Sequence, residues 1–285
     1  MILFGLVRPT LSLRGTPPNL SRWRLRRIAA GSIVAVRDYP YVVSLQDSGG
    51  HFCAGTMIAY NVVLTAAHCL DQRSDVTICY GTLDKNSKCQ GTTHDIDEVV
   101  YHESYKKLFD EGGEYAVNDL ALIRLKTPIT TSRTVRTMGL FEQDEKINDM
   151  SNATIIGWGA TRPPEEDDYQ RGNIWDELKS IFKSYDMYHY FSKELRIATV
   201  QIISKHNCGV LHEEAVLKDQ ICTGSPHGSH CIGDSGGPLM IGGRQAGINS
   251  WGTNKCGVPG SLGISMSISH HRDWIDTKVN VLSAK

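Results

Sequence analysis

The stretch Gly233-Asp-Ser-Gly-Gly-Pro-Leu-Met-Ile241 decides how the rest of the chain is read. A serine among glycines marks a tight turn, where backbone N–H groups converge on one point. A nucleophile that passes through a tetrahedral oxyanion needs that convergence. A bare Gly-x-Ser-x-Gly usually marks a turn from a strand into a helix. Here no helical period follows Ser235; the apolar run Pro238-Leu-Met-Ile241 follows, and it reads as a strand. The strand-to-helix elbow therefore fails, and an esterase of that architecture fails with it. A plain Gly/Ser loop is the reading left beside the nucleophile turn.

Outward from this turn the chain keeps one texture. Tyr41-Val-Val-Ser-Leu45, Asn61-Val-Val-Leu-Thr65, Leu120 to Leu125, Ala153-Thr-Ile-Ile156 and Ala198 to Ile203 are short runs rich in β-branched residues, and they read as strands. Gly49-Gly50 and Gly242-Gly243, each between apolar runs, predict hairpins. Many short strands with few helical stretches imply an antiparallel all-β barrel or sandwich. Ser269 to Val279 predicts a short final helix. A second helical period, Ile174, Leu178, Ile181, Phe182 and Tyr185, lies inside the stretch Pro163 to Leu195, with Asn173 as its cap.

Composition narrows the class. The 285 residues carry 30 basic and 31 acidic side chains, and 40% are hydrophobic. That excludes a disordered or fibrous chain. Balanced charge gives no reason for a nucleic-acid partner. No apolar run reaches the roughly 18 residues of a spanning helix, so no membrane partner is expected. Eight cysteines are well separated and form no Cys-x-x-Cys pair, which favours disulfides and an oxidising compartment over buried thiols. Residues 1–27 hold six arginines and no acid, so the remainder carries a net −7. This reads as a removable, unstructured leader. It is a poor secretory signal, and an Arg-rich transit peptide or a truncated start fits it as well.

Two further motifs carry candidate chemistry. Thr65-Ala-Ala-His-Cys69 sets a histidine after an apolar strand, with two small residues that let other segments approach its ring. Asn118-Asp-Leu-Ala-Leu-Ile123 opens a strand with an aspartate. Alone, each has a structural reading: a core histidine and a turn residue.

Together, the order His68, Asp119, Ser235 and all three local contexts resemble the chymotrypsin/trypsin-like serine endopeptidases, and arthropod members in texture. The resemblance runs from Ile28 to about Ile275. It implies two six-stranded antiparallel Greek-key β-barrels with a C-terminal helix, formed by residues 28–285 with an insertion at about 163–195. It also implies roles. Ser235 attacks the scissile carbonyl, His68 moves its proton, and Asp119 orients the imidazole. The N–H groups of Gly233 and Ser235 form the oxyanion hole, and Ser250, Trp251 and Gly252 bind substrate backbone. The mature N-terminus falls at Ile28, within Arg27-Ile-Ala-Ala-Gly31; the family pattern Ile-Val-Gly-Gly is altered at Ala29 and Ala30. Cleavage after Arg27 frees an ammonium that pairs with Asp234, making the uncut chain a zymogen.

The remaining expectations follow from the same likeness. Cys53 pairs with Cys69, Cys208 with Cys222, and Cys231 with Cys256. Cys79 and Cys89 lie ten apart across a turn at 81–84 and are paired, with two free thiols as the alternative. Ser229 is the floor of the specificity pocket, and a neutral floor gives no anion for Arg or Lys. Gly252 and Gly260 are its walls, which leaves it open to Phe, Tyr, Trp or Leu. Leu262 replaces the tyrosine behind the pocket, and His230 beside the floor is unusual. No cofactor is implied and no metal, calcium included. Partners are polypeptide substrates and protein protease inhibitors, and the chain is expected to be a secreted monomer. The insertion reads as a surface loop, an exosite or lid helix, or a gene-model error. A binding module without activity is the competing function; such chains lack a triad residue, and all three are present here.

Overall fold

Apolar β-branched runs broken by glycine turns give fifteen strands in the computed structural model, which describes residues 31–71, 73–84, 87–110, 113–129, 136–161, 191–212, 216–225, 229–252 and 260–284. The leader 1–27, Ile28, Cys256 and the helical period expected at 174–185 lie outside the described residues.

In chain order, β1 (Ser32–Ile33) precedes β2 (Val42–Asp47), β3 (Gly50–Ala59), β4 (Val62–Thr65), β5 (Thr77–Tyr80) and β6 (Thr92–Tyr101). A hairpin of β7 (Lys106–Asp110) and β8 (Gly113–Val117) leads to β9 (Ala121–Leu125). The second half holds β10 (Asn152–Gly157), β11 (Arg196–Ile203), α1 (Lys205–His212), β12 (Gln220–Gly224), β13 (Pro238–Ile241), β14 (Arg244–Gly252), β15 (Leu262–Ser267) and α2 (Ile268–Ser283). Strands β2-β3-β4-β9-β6-β5 close into one antiparallel barrel. Strands β11-β10-β13-β14-β15-β12 close into the other through the β11–β12 pairing, with β1 added on β11.

Each barrel is filled by its inward side chains. Leu45, Met57, Val63, Ile78 and Ile123 are fully buried in the first. Ala153, Ile155, Val200, Ile221 and Leu239 fill the second. Fully burying such an aliphatic chain stabilises the fold by about 1.5–3 kcal/mol. The barrels meet along a seam in which Val42 of β2 packs with Ile156, Trp158, Leu195 and Met240. The candidate site lies on segments from both halves.

All five expected strands are present, and both glycine pairs turn hairpins. Gly242 and Gly243 have φ of 59° and 79°, the backbone that a two-residue turn requires and that glycine adopts without strain. The final helix is longer than expected, running from Ile268 to Ser283. Helix α1 was not expected. Its sequence Lys-His-Asn-Cys-Gly-Val carries a glycine and no apolar period, and the disulfide Cys208–Cys222 ties it to β12. Cys53–Cys69 and Cys79–Cys89 are bonded as expected. Cys231 is also disulfide-bonded.

Candidate active site

His68 stands in a 3-10 turn, Ala67–Cys69, that follows β4 directly. Ala66 and Ala67 are fully buried, and Cys69 is tied by its disulfide to Cys53 on β3. The small side chains and the bond together fix where the imidazole emerges. Asp119 stands two residues before the start of β9. Its neighbour Asn118 has φ of 48°, a left-handed conformation that asparagine tolerates better than most residues. That turn brings Asp119 under His68.

The contact is close and charged. Asp119 Oδ2 lies 2.6 Å from His68 Nδ1, and Asp119 Oδ1 accepts the His68 backbone N–H at 2.9 Å. The Ser250 hydroxyl also donates to Oδ2. Asp119 is wholly buried. Burial alone would raise its carboxyl, but the charge of His68 and the hydrogen bonds from His68 and Ser250 outweigh burial and hold it below the usual range. An ionised carboxylate accepting at Nδ1 keeps the hydrogen there, which makes Nε2 the acceptor nitrogen of the ring. The His68 side chain is 27% exposed, so that nitrogen belongs to a partly open imidazole.

Ser235 is joined to the same group through Ser250. Its hydroxyl donates to the Ser250 carbonyl at 3.4 Å, while the Ser250 hydroxyl holds Asp119. The turn around Ser235 is made by glycines where the sequence places them. Gly233 and Gly236 have φ of 91° and 79°. A Cβ on Gly236 would collide with Thr65 and the Ala54 carbonyl. The Ile232 carbonyl accepts from Ala160 N–H at 2.8 Å, and the Asp234 carbonyl from Gly237 N–H at 3.0 Å. In a trans peptide the N–H points opposite the carbonyl. The N–H groups of Gly233 and Ser235 are therefore turned away from those partners.

His51 is a residue that the sequence did not single out. Its Nε2 lies 3.0 Å from the Gly233 carbonyl, and its Nδ1 lies 2.8 Å from the Ser44 hydroxyl. A carbonyl only accepts, so Nε2 carries the hydrogen and Nδ1 accepts from Ser44. Its ring meets those of Phe191 and Trp158 edge-on, at 5.3 and 5.9 Å. Burial lowers its pKa to about 4, despite the Gly233 bond, so the ring is neutral. Gly49-Gly50 turns the chain just before it, but no local pattern marks a contact 182 residues away.

Asp234 is the site's second buried acid, 1% exposed. It accepts from Gly159 N–H at 2.9 Å and Cys231 N–H at 3.0 Å. The absence of side chains at Gly157 and Gly159 makes room for its carboxylate. No cation pairs with it among the described residues. Burial raises its pKa to about 6, and the two amides pull it back only in part.

Ser229 is buried, with its hydroxyl 3.3 Å from that of Ser261. Gly252 packs on strand β15, where a Cβ would lie 2.6 Å from the Leu262 carbonyl. Gly260, expected as the facing wall, lies exposed at a turn, with φ of 84° and nothing among the described residues within 4 Å of where a Cβ would be. Gly263 pairs with Gly252 and faces His230. Leu262 lies on β15 opposite Gly224.

Among the described residues, one His/Cys/Asp/Glu group is close enough to grip a metal: Cys53, His68 and Cys69. Both sulfurs are used by their disulfide, so neither is a thiolate ligand.

The family model described as Trypsin matches residues 28–176 and 183–275. Trypsin epsilon of Drosophila erecta is 29% identical over 253 residues, covering 88% of this chain and 86% of its own. Trypsin of Phaedon cochleariae is 29% identical over 274 residues, covering 93% and 91%. Among solved structures, mouse neuropsin, a serine protease, superposes with a TM-score of 0.70 at 25% identity, covering 87% of this chain and 98% of its own. Human heparin binding protein shares the fold at a TM-score of 0.66 and 23% identity, covering 88% and 96%. Matched along most of its length, and with its barrels arranged as in neuropsin, this chain belongs to the trypsin family of serine proteases.

Proposed function

We propose that this chain is a secreted serine endopeptidase, made as a zymogen, activated by cleavage after Arg27, and using Ser235, His68 and Asp119 as its triad. The observation that carries the reading is the hydrogen-bonded chain from Asp119 to His68, with Ser250 reaching both Asp119 and Ser235. His68 Nε2 takes the proton of Ser235 as Oγ attacks the scissile carbonyl. The same proton passes to the leaving amine, and water then releases the acyl group by the reverse sequence. Asp119 stabilises the imidazolium in each step without taking the proton. The Gly233 and Ser235 N–H groups receive the oxyanion; losing one such donor costs about two to three orders of magnitude in rate. Ser250, Trp251 and Gly252 present a strand edge to substrate backbone.

Activation is supported by Asp234. A buried carboxyl pushed up to about 6, with two amide partners, is suited to receive a cation. The Ile28 ammonium freed by cleavage supplies one, and the ionised pair then fixes the Gly233–Ser235 turn. The disulfides agree with a secreted enzyme. Its partners are polypeptide substrates and protein inhibitors, met as a monomer. The neutral floor at Ser229 favours cleavage after uncharged residues. The sequence assigned these to Phe, Tyr, Trp and Leu, on the premise of an open slot.

The test is hydrolysis of peptide substrates by the chain cleaved at Arg27, with Ser235→Ala as control. Turnover that disappears in the variant and favours uncharged residues over Arg supports the proposal. Turnover that survives Ser235→Ala, or prefers Arg, contradicts it. A processed chain that binds peptides without cutting them would be a binding module instead.

A further inference from the structure

His230 occupies the space that the open-slot premise leaves empty. Its Nε2 lies 3.0 Å from the Trp251 carbonyl, so the ring reaches from the segment after Ser229 to the opposite wall. A Cβ on Gly263 would fall 2.6 Å from both Cε1 and Nδ1 of the ring. The glycine pair 252 and 263 is thus accounted for by packing: the volume it frees is taken up by imidazole. The Ser229 and Ser261 hydroxyls lie 3.3 Å apart and both residues are buried. An aromatic side chain entering here would have to expel the ring and break its bond to Trp251.

The ring also presents an unmet acceptor. The Trp251 carbonyl can only accept, so Nε2 carries the hydrogen. Nδ1 keeps its lone pair, buried and without a hydrogen-bond partner among the described residues, on a residue 4% exposed. An unpaired buried acceptor is a standing cost that an incoming donor relieves. Burial lowers the ring's pKa to about 4, which keeps this tautomer neutral near neutral pH.

We propose that His230 sets the primary specificity by standing inside the pocket, so that it takes a short, hydrogen-bond-donating side chain, threonine or serine, and rejects aromatic ones. The inference rests on the protease reading and on Ser229, Gly252 and Gly263 being the primary pocket. The donor hydroxyl pairs Nδ1; valine has the same shape and leaves the lone pair unmet. Arg and Lys are too long for the filled slot and find no anion at its floor. This replaces the expected preference for large apolar residues with one for short polar ones.

The experiment uses the processed enzyme, with active sites counted by a fluorophosphonate probe. Substrates are Suc-Ala-Ala-Pro-X-aminomethylcoumarin with X as Thr, Val, Phe or Arg. The expected kcat/KM for Thr exceeds that for Val by about tenfold, and Phe is slower than both. His230→Ser should raise Phe at least about tenfold and abolish the preference for Thr over Val. His230→Thr serves the same purpose if the serine variant does not fold. Wild-type enzyme cutting after Phe faster than after Thr overturns the proposal, as does an unchanged Phe/Thr ratio in the variants. A normal count of active sites with either result separates failure of this proposal from failure of the protease reading, in which no site would label.

Discussion

Two aspartates are sealed from solvent on either side of Ser235, and their surroundings push them in opposite directions. Asp119, beside the first barrel, meets His68 at Oδ2 and through the His68 backbone, with Ser250 as a third donor. Its carboxyl stays below the usual range although burial opposes this. Asp234, beside the second barrel, has two amide donors and no cation among the described residues, and burial raises it to about 6. Depth is nearly the same in both, so it is partners that decide. One half of the site carries its counter-charge within the fold. Under the proposed activation, the other half acquires its counter-charge by proteolysis.

That contrast can be broken most forcefully at Asp119. Asp119→Asn keeps the shape but offers His68 the wrong tautomer, and kcat of the processed enzyme should fall about 10⁴-fold. A loss of less than about tenfold would remove Asp119 from the mechanism. Next comes Asp234→Asn in the processed chain. An amide cannot hold the Ile28 ammonium, so the oxyanion donors lose their anchor and kcat should fall about 10²- to 10³-fold. An unchanged KM for small substrates would locate the effect in chemistry. Ser250→Ala removes one of three donors to a carboxylate that keeps the other two; a hydrogen bond to a charged group is worth about 1.5–3 kcal/mol, so a loss of roughly tenfold or somewhat more in kcat is expected.

The smallest effect is a pH dependence of stability in the uncut chain. Asp234 has a folded pKa of about 6, above the ordinary 3.8 of an aspartate, so the folded chain keeps a proton that the unfolded chain has lost. Its contribution to stability is present below pH 4 and is lost as pH rises towards 6. His51 and His230 act the other way. Their folded values of about 4 lie below 6.5, so their contribution is present above that pH and lost as pH falls towards 4. The raw stability curve mixes these trends, and the difference between wild type and Asp234→Asn isolates the acid. Chemical denaturation should show wild type losing ground to Asp234→Asn from pH 4 to pH 6. A flat difference would mean that Asp234 does not carry the raised value.

The two halves of the site also differed in how much the sequence disclosed. His68, Asp119 and Ser235 each sit at a strand end with a local reason for being there: two alanines, a left-handed asparagine and a run of glycines. The strands themselves were visible as short β-branched runs, and Cys79–Cys89 closes a local turn that spacing alone suggested. What escaped were contacts set by barrel closure. His51 meets Gly233 across 182 residues, and nothing adjacent to it signals that contact. The pocket wall was placed at Gly260 because a Pro-Gly pair resembles the family pattern. Pairing of β14 with β15 sets Gly263 opposite Gly252 and against His230, a contact that the family pattern does not signal.

The central claim is that Ser235 becomes a nucleophile when cleavage after Arg27 supplies the cation for Asp234. It is tested most directly by fluorophosphonate labelling of the 285-residue chain before and after cleavage, with Arg27→Gln as the uncleavable control and the labelled peptide identified by mass spectrometry. Strong labelling at Ser235 is predicted in the cleaved chain, and little in the uncut chain or the control. Equal labelling of Ser235 in the intact Arg27→Gln chain, or none after cleavage, would contradict the claim.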